Sequence, residues 1–354
     1  MKVVIAPDSF KGSISNVECA EAIAEGWRSV RAMDQISLRP MADGGEGTLE
    51  TIAFQYPQAL RLPAAVEHQA WWLLLADGTA YVELASICGI TLLEELDPLH
   101  SNTYLLGLVL RDISSDPRVE KIVISVGGSA STDGGAGILI ALGARLLDSN
   151  GAPIPLGGGD LSRLHSIDLS EVVPAPRGGI VCLTDVTNPL LGEFGAAHVY
   201  SPQKGATPED VLVLAKGLER LLEVSGNSDF PGAGAAGGTP FGLSLAWGAR
   251  IESGALAIAE LIGVPEVIET SDVVITGEGR LDSQSEFGKV VGTVKSLARK
   301  KDKDVLYCVG SSEVDLETSG VALVDIAPSL KDAISNPRQW LIQAGKELAL
   351  RYGN

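Results

Sequence analysis

The stretch Val3-Val4-Ile5-Ala6-Pro7-Asp8-Ser9-Phe10-Lys11-Gly12 joins a short apolar run to an acidic turn that ends in glycine. The β-branched residues of the run predict a buried strand. The capping box Ser15-Asn16-Val17-Glu18 follows directly and predicts the start of a helix. Strand, turn and helix in this order are the repeating unit of α/β proteins. The stretch therefore predicts an α/β fold, with Asp8 at the carboxyl end of a strand.

Three more acidic, glycine-bearing turns occur where apolar runs end. They cover residues 41–47, 127–135 and 276–282. In an open α/β sheet, ligands bind outside the carboxyl ends of the strands. Small residues there let backbone amides approach an anion, and carboxylates can hold a divalent cation or accept a proton. The combination is typical of phosphoryl transfer.

Short apolar runs and helical patterns alternate through the rest of the chain. Strands are predicted at residues 121–126, 180–184, 272–276, 305–309 and 322–326, and helices at residues 137–147, from Thr207 onward and at residues 337–351. The start at Thr207 carries a capping threonine, a proline at the first helical position and acids in the first turn. Alternating strands and helices favour parallel strand pairing.

Composition narrows the functional class. A length of 354 residues favours two domains, and a hydrophobic fraction of 45% is enough to form their cores. The formal net charge of -18 and the pI near 4.6 disfavour nucleic acid and anionic membranes as partners. The four cysteines are scattered without metal or redox spacing, so we expect them to be reduced. No run reaches the ~18 apolar residues of a membrane span, and no signal-peptide core is recognisable, so we expect a cytoplasmic protein.

Two segments match nucleotide-binding motifs in full or in part. Gly232-Ala233-Gly234-Ala235-Ala236-Gly237 matches the dinucleotide fingerprint literally. The fingerprint is informative only after a strand, whereas a turn precedes it here, which argues against a dinucleotide-dependent oxidoreductase. Gly288-Lys289 lacks the remaining residues of a P-loop. Any ATP would therefore bind without a Walker motif.

Seven sequence blocks, in this order, resemble the bacterial type I glycerate kinase family. They are residues 6–12, 40–47, 127–137, Asp185 with 188–190, 203–208, 231–238 and 275–282. The resemblance implies transfer of the ATP γ-phosphoryl group to D-glycerate, usually giving 2-phosphoglycerate, with Mg²⁺. It also implies a flavodoxin-like parallel-sheet domain, residues 1–65 and 265–354, with a second α/β domain, residues 66–264, inserted into it. The oligomeric state and the choice between 2- and 3-phosphoglycerate are left open.

The catalytic candidates are acids at predicted strand ends and one nearby lysine. They are Asp8, Asp43, Asp185, Asp282 and Lys11. An acid can take the proton of the acceptor hydroxyl, and a cation can stabilise the charge of the moving phosphoryl group. Asp43 and Asp185 are the first candidates for Mg²⁺ ligation or proton abstraction. Acids at such positions also cap helices, and this alternative stays open for each of them.

The candidates for binding substrate or nucleotide flank these acids. They are Ser9, Gly44, Gly45, Glu46, Gly128, Ser129, Asp133, Asn188, Lys204, Glu278, Arg280 and Lys289. A guanidinium such as that of Arg280 can grip a carboxylate or phosphate with two hydrogen bonds. The alternative for Arg280 is a structural ion pair with Glu278 or Asp282. The glycines are expected to shape loops whose amides line the phosphates.

Three segments depart from the family pattern. In residues 101–107, leucines replace the small residues that the family usually has. Ser131-Thr132-Asp133 replaces a usual Thr-Asn-Asp, and Gln284-Ser285 replaces a usual Gln-Thr pair. The first departure keeps two alternatives open: a glycerate sensor without catalysis, or a kinase of another small hydroxy acid. A phosphatase would share an anion site and an α/β architecture.

Overall fold

The computed structural model of the chain describes residues 1–66, 68–282, 289–316 and 318–352. The chain divides into two compact units. Unit 1 contains Met1–Asp43, Glu50–Pro57 and Ser253–Asn354, and unit 2 contains Gly44–Leu49 and Gln58–Glu252. The division at residues 65 and 264 stays a prediction. Within the described ranges, no helix is both long and apolar enough to cross a membrane.

Short strands alternate with helices throughout the described residues. The strands are β1 (Lys2–Ile5), β2 (Gln35–Leu38), β3 (Leu60–Pro63), β4 (Trp71–Leu74), β5 (Thr79–Glu83), β6 (Lys121–Ser125), β7 (Arg145–Leu147), β8 (Ser166–Asp168), β9 (Ile180–Leu183), β10 (Arg250–Glu252), β11 (Val273–Thr276), β12 (Arg280–Leu281), β13 (Asp304–Val309), β14 (Ser311–Ser312) and β15 (Gly320–Ala322). The helices are α1 (Asn16–Arg28), α2 (Thr48–Gln55), α3 (Ala85–Cys88), α4 (Tyr104–Ser115), α5 (Ala136–Leu142), α6 (Ala196–Tyr200), α7 (Pro208–Ser225), α8 (Thr239–Trp247), α9 (Gly254–Leu261), α10 (Val264–Glu269), α11 (Val290–Arg299), α12 (Leu323–Ile326), α13 (Leu330–Ser335) and α14 (Pro337–Arg351).

Unit 1 is built on a five-stranded sheet of order β15-β13-β11-β1-β2, in which every pair is parallel. Numbered along the chain, these strands lie in the order 2-1-3-4-5, which is the flavodoxin-like arrangement. Residues 3–5 and 273–275 of the two central strands are buried on both faces, as in other parallel sheets. The predicted flavodoxin-like α/β fold is confirmed.

Helices α1 and α14 pack closely against each other in unit 1. The capping box predicted at Ser15 and Glu18 is present at the start of α1. A Cβ on Gly26 would collide with the carbonyl of Ile342, and one on Gly345 would collide with the carbonyl of Ile23. Glycine at these two positions therefore lets the two helix backbones touch.

Unit 2 has a six-stranded sheet of order β10-β9-β6-β5-β4-β3. The pairs among β10, β9, β6 and β5 are parallel, whereas β5-β4 and β4-β3 are antiparallel. The glycine-rich residues 232–237 follow a turn rather than a strand, and a Cβ on Gly234 would collide with the carbonyl of Pro189. That segment therefore serves close backbone packing.

Two predicted elements differ from the structure. Residues 137–147 do not form one helix, because α5 ends at Leu142, Gly143 takes a φ of 113°, and the chain continues as β7. Residues 322–326 do not form a strand, because β15 ends at Ala322 and the next residues form α12. Short apolar runs carry no periodicity that separates a strand from a buried helix, which accounts for the second error.

Candidate active site

A cavity of about 470 Å³ lies at the carboxyl edge of the unit 1 sheet. The strand order reverses between β1 and β11, and α/β sheets bind ligands at such a point. The loops after β2, β1 and β11, together with the start of α11, supply the polar lining: Asp43, Asp8, Ser9, Lys11, Glu278, Arg280, Asp282 and Lys289. The structure thus brings together eight of the residues predicted from sequence.

Backbone contacts join the loops of this cavity that follow β1, β11 and β13. The Asp8 amide donates to the carbonyl of Gly277 at 2.8 Å, which extends the β1-β11 pairing past the strands. The amide of Ser311 donates to the carbonyl of Gly279 at 3.0 Å. A Cβ on Gly310 would collide with that same carbonyl. The backbones of these loops are in direct contact with one another, which fixes the positions from which their side chains extend into the cavity.

The carboxyl group of Asp8 has a strongly raised pKa. Burial raises its pKa to about 7, and the negative charges of Asp43 and Glu278 act in the same direction. The Ser9 amide, which donates to Oδ1 of Asp8 at 2.7 Å, and the charge of Lys11 act in the opposite direction. A carboxyl group with a pKa near neutrality can accept or release a proton at working pH, as a general base must.

Two cations of the cavity, Lys11 and Arg280, are exposed to solvent, and Lys289 is half-buried. Arg280 has 67% of its side chain exposed and forms an ion pair with Glu313, an acid that the sequence did not single out. Such an exposed pair contributes only about 0–1 kcal/mol, so a bound anion can compete for the guanidinium. Lys289 occupies the N-cap position of α11, and Lys11 is exposed.

The carboxylates of the cavity have the donor chemistry that a magnesium ion prefers. Within residues 1–66, 68–282, 289–316 and 318–352, no group of three or more His, Cys, Asp or Glu side chains is arranged to hold a metal ion. Mg²⁺ in phosphoryl-transfer sites is commonly held by one or two carboxylates, with phosphates and water completing its coordination. Asp8 and Asp43 are oxygen donors whose mutual repulsion a cation would relieve. The donor chemistry therefore fits Mg²⁺.

The other predicted residues lie in loops of unit 2. In some of these loops, glycines allow close contact between backbones. Gly44 has a φ of +85°, and a Cβ there would lie 2.9 Å from the carbonyl oxygen of Leu183. The Gly127 amide donates to the carbonyl of Gly44 at 3.1 Å, and a Cβ on Gly127 would lie 2.6 Å from Cα of Gly45. The loop after β6, the end of β9 and residues 44–47 are thus one closely packed group. Glu46 is exposed beside it.

Lys204 is buried in unit 2. Its Nζ donates to Oγ of Ser129 at 2.8 Å and to the carbonyl of Ser131. Burial lowers the pKa of Lys204 to about 7, although the charges of Asp133 and Cys88 oppose this shift. The ammonium is therefore close to losing its proton at neutral pH.

Asp133 is fully buried and saturated with hydrogen bonds. Its carboxylate accepts from the amide and hydroxyl of Thr103 at 2.9 and 2.8 Å, and from the amides of Gly135 and Gly137 at 3.0 and 3.1 Å. It thereby ties the start of α4 to the start of α5. This geometry favours the capping alternative over substrate contact for Asp133.

The remaining predicted residues of unit 2 lie in loops after strands. Asp185 follows β9 and is half-buried. Asn188 donates to the carbonyl of Phe194 at 2.8 Å and accepts from the Tyr200 hydroxyl at 2.6 Å, so its amide holds its own loop. Gly128 takes a φ of +77° beside Ala85. Gln284 and Ser285 lie outside the described residues.

Sequence reasoning missed part of the lining of the unit 1 cavity. The lining residues outside the predicted site set are Phe10, Gly12, Ser13, Gly279, Gly310, Ser311, Leu323, Val324, Leu330, Ala333 and Ile334. Gly310 and Ser311 follow the predicted strand at residues 305–309, so the strand-end rule that found the other loops could have found them. The aliphatic residues of α12 and α13 carry no local signal.

Comparisons with known proteins show which family the chain belongs to. The family model described as the glycerate kinase family matches residues 3–352. The chain is 40% identical over 332 residues to the glycerate 2-kinase of Escherichia coli (strain K12), covering 89% of this chain and 87% of that protein. It is 36% identical over 373 residues to the glycerate kinase of Bacillus subtilis (strain 168), covering 99% and 97%. A solved structure of a proposed glycerate kinase 2 from Salmonella typhimurium LT2 has a TM-score of 0.80 at 34% identity, covering 99% of this chain and 97% of that one. The chain is therefore a kinase and belongs to the glycerate kinase family.

Proposed function

We propose that this kinase transfers the γ-phosphoryl group of ATP to a hydroxyl of D-glycerate, giving 2-phosphoglycerate, with the help of Mg²⁺. Family membership supports the reaction class. The observation that carries the site assignment is the half-buried Asp8, with its pKa raised to about 7, in one cavity with Lys11, Arg280 and Lys289. That cavity combines a proton acceptor with cations for the transferring group, which is what the reaction requires.

In this proposal Asp8 takes the proton of the acceptor hydroxyl. Lys11, Arg280 and Lys289 neutralise the charge that spreads over the phosphoryl oxygens in the transition state. Asp43 sets the proton affinity of Asp8 through its negative charge. Glu278 and Asp282 stay proposed polar contacts of the same cavity.

Asp43 is the residue of unit 1 that would hold Mg²⁺, and Asp185 stays the proposed ligand in unit 2. When bound, the ion would neutralise phosphate charge and orient the phosphate chain. Ser129 and Lys204 stay proposed anion-binding residues of unit 2. An approaching anion would favour the protonated form of Lys204, because an opposite charge nearby stabilises the ammonium.

The test is turnover of the purified chain with ATP, Mg²⁺ and D-glycerate, followed by ADP release, with the product identified by phosphorus NMR. A 2-phosphoglycerate signal supports the proposal. A 3-phosphoglycerate signal keeps the reaction class and overturns the position of transfer. Binding of glycerate without turnover would favour the sensor, and turnover only with another hydroxy acid would replace the acceptor.

A further inference from the structure

The unit 1 cavity is polar at one end and apolar at the other. Its charged lining residues follow β2, β1 and β11 or begin α11, whereas Leu323 and Val324 of α12 and Leu330, Ala333 and Ile334 of α13 form the other end. None of the lining residues from α12 and α13 is charged. The sheet order places β1 and β15 three strand spacings apart, or roughly 14 Å. The change from polar to apolar thus runs along the carboxyl edge of the sheet.

The apolar end presents aliphatic surface to solvent. Leu330 is 61% exposed and Ile334 is 52% exposed, and the two lie one turn apart on the same face of α13. Behind them, Leu323 and Ala333 are buried. An apolar ligand surface placed here would remove both exposed side chains from water, which is favourable.

The two substrates differ in how well they match this cavity. D-glycerate is a three-carbon acid whose carboxylate and hydroxyls would be buried without partners against aliphatic side chains, at a large cost. A nucleotide combines a base, whose flat faces can pack against aliphatic side chains, with a chain of phosphates. A volume of about 470 Å³ is also in the range of cavities that hold ligands of nucleotide size.

We propose that the apolar end, formed by α12 and α13, binds the nucleoside of the phosphoryl donor, and that its phosphates extend toward Lys11, Arg280 and Lys289. The inference rests on the proposed function and adds the orientation of the donor in unit 1. The three cations lie at the end where the phosphates are placed, and the uncharged aliphatic residues lie at the end where the base is placed. Leu330 and Ile334 are therefore determinants of donor affinity.

The experiment replaces each exposed aliphatic residue by a neutral polar one, with Leu330→Asn and Ile334→Asn as separate variants. Leu212→Asn on α7 is the matched control, because Leu212 is 65% exposed and belongs to unit 2. We expect the KM for ATP to rise about tenfold in both variants through loss of apolar contact. The KM for D-glycerate, kcat and the control variant should stay close to the wild-type values. A rise in the KM for D-glycerate with an unchanged KM for ATP would overturn the assignment, as would no change in either.

A second measurement separates the nucleoside from the phosphates. Calorimetric titration with magnesium ADP and with magnesium pyrophosphate compares two probes that share phosphate groups but not the nucleoside. The variants should bind ADP about tenfold more weakly and pyrophosphate as the wild type does. Equal weakening of both probes would place the phosphates, not the nucleoside, at α13 and overturn the proposal. If wild-type protein binds ADP but does not phosphorylate D-glycerate, the proposed function fails, and the comparison of ADP with pyrophosphate still decides where the nucleoside binds.

Discussion

Lys204 and Ser129 are joined by a hydrogen bond of 2.8 Å from Nζ to Oγ in the interior of unit 2. The second acceptor of the ammonium, the carbonyl of Ser131, is also neutral. Burial of a charge whose hydrogen-bond acceptors are neutral favours deprotonation, and the pKa of Lys204 falls to about 7. This pair therefore makes the stability of the chain depend on pH at mildly alkaline values.

The first prediction concerns that dependence. The pKa of Lys204 is about 7 in the folded chain and 10.5 ordinarily. At pH values between these two, Lys204 is protonated in the unfolded chain but largely neutral in the folded chain. The free energy of unfolding therefore rises with pH in this range. The stability of wild type minus that of Lys204→Met should rise from pH 7 to pH 9 by up to about 1.4 kcal/mol per pH unit. Urea unfolding at three pH values measures it, with Lys216→Met on the exposed side of α7 as the control. A constant difference would contradict the prediction.

The second prediction concerns the pH dependence of catalysis. Because Asp8 must be ionised to accept a proton, kcat/KM should rise with pH through an apparent pKa near 7 in the free enzyme. Asp8→Asn should lower kcat/KM about 100-fold or more and remove this limb. Asp43→Asn should move the titration of Asp8 to lower pH, because a negative neighbour is lost, and carbon-13 NMR of the Asp8 carboxyl measures that shift even if turnover is weak. A limb that persists in Asp8→Asn would exclude Asp8 as the base.

The third prediction separates binding from stability at Arg280. Its ion pair with Glu313 is exposed, so Glu313→Gln and Arg280→Ala should each change the free energy of unfolding by less than about 1 kcal/mol. Arg280→Ala should nevertheless lower kcat/KM by 10-fold or more, since a charge-assisted contact with phosphate is lost, on the order of 1.4 kcal/mol or above. Steady-state kinetics and urea unfolding on the same preparations measure both quantities. Equal losses of activity in both variants would assign the effect to the ion pair.

The fourth prediction tests the capping role of Asp133. Asp133→Asn keeps the shape but replaces one acceptor oxygen by a donor facing N–H groups, so it should destabilise the chain by about 2 kcal/mol. The KM values should stay within about twofold if the carboxylate only joins α4 to α5. Thermal unfolding and kinetics measure the two effects. A stable variant with a raised KM would instead make Asp133 a ligand-binding residue.

Some parts of this structure were predictable because their signals are local. The strand at residues 3–5, the capping box at Ser15 and the helix at residues 337–351 each depend on neighbouring residues, and all three are present. The strand predicted at residues 322–326 is wrong because four of those five residues are apolar and have no periodicity. The grouping of loops at the edge of the sheet followed from the rule for α/β proteins.

Other parts were not predictable because they depend on residues far apart in sequence. Asp133 owes its environment to Thr103, 30 residues earlier. The apolar end of the unit 1 cavity comes from α12 and α13, which reach it only through the packing of unit 1. Leu330 and Ile334 resemble any other surface aliphatic residues until that packing is known.

The central sheet of unit 1 also governs how the chain can fold during synthesis. The neighbours β1 and β11 are separated by 270 residues, as the bond from the Thr276 hydroxyl to the carbonyl of Ala6 shows. At about 5–20 residues per second, the ribosome needs on the order of tens of seconds to deliver the partner of β1. Throughout that interval, one edge of β1 lacks its partner strand, which leaves Val3, Val4 and Ile5 unpaired on that side. Unpaired apolar strand edges promote aggregation and are bound by chaperones. The last strand of unit 2, β10, is made before β11, β13 and β15 of unit 1, so we expect the nascent chain to carry a folded unit 2 before unit 1 can close.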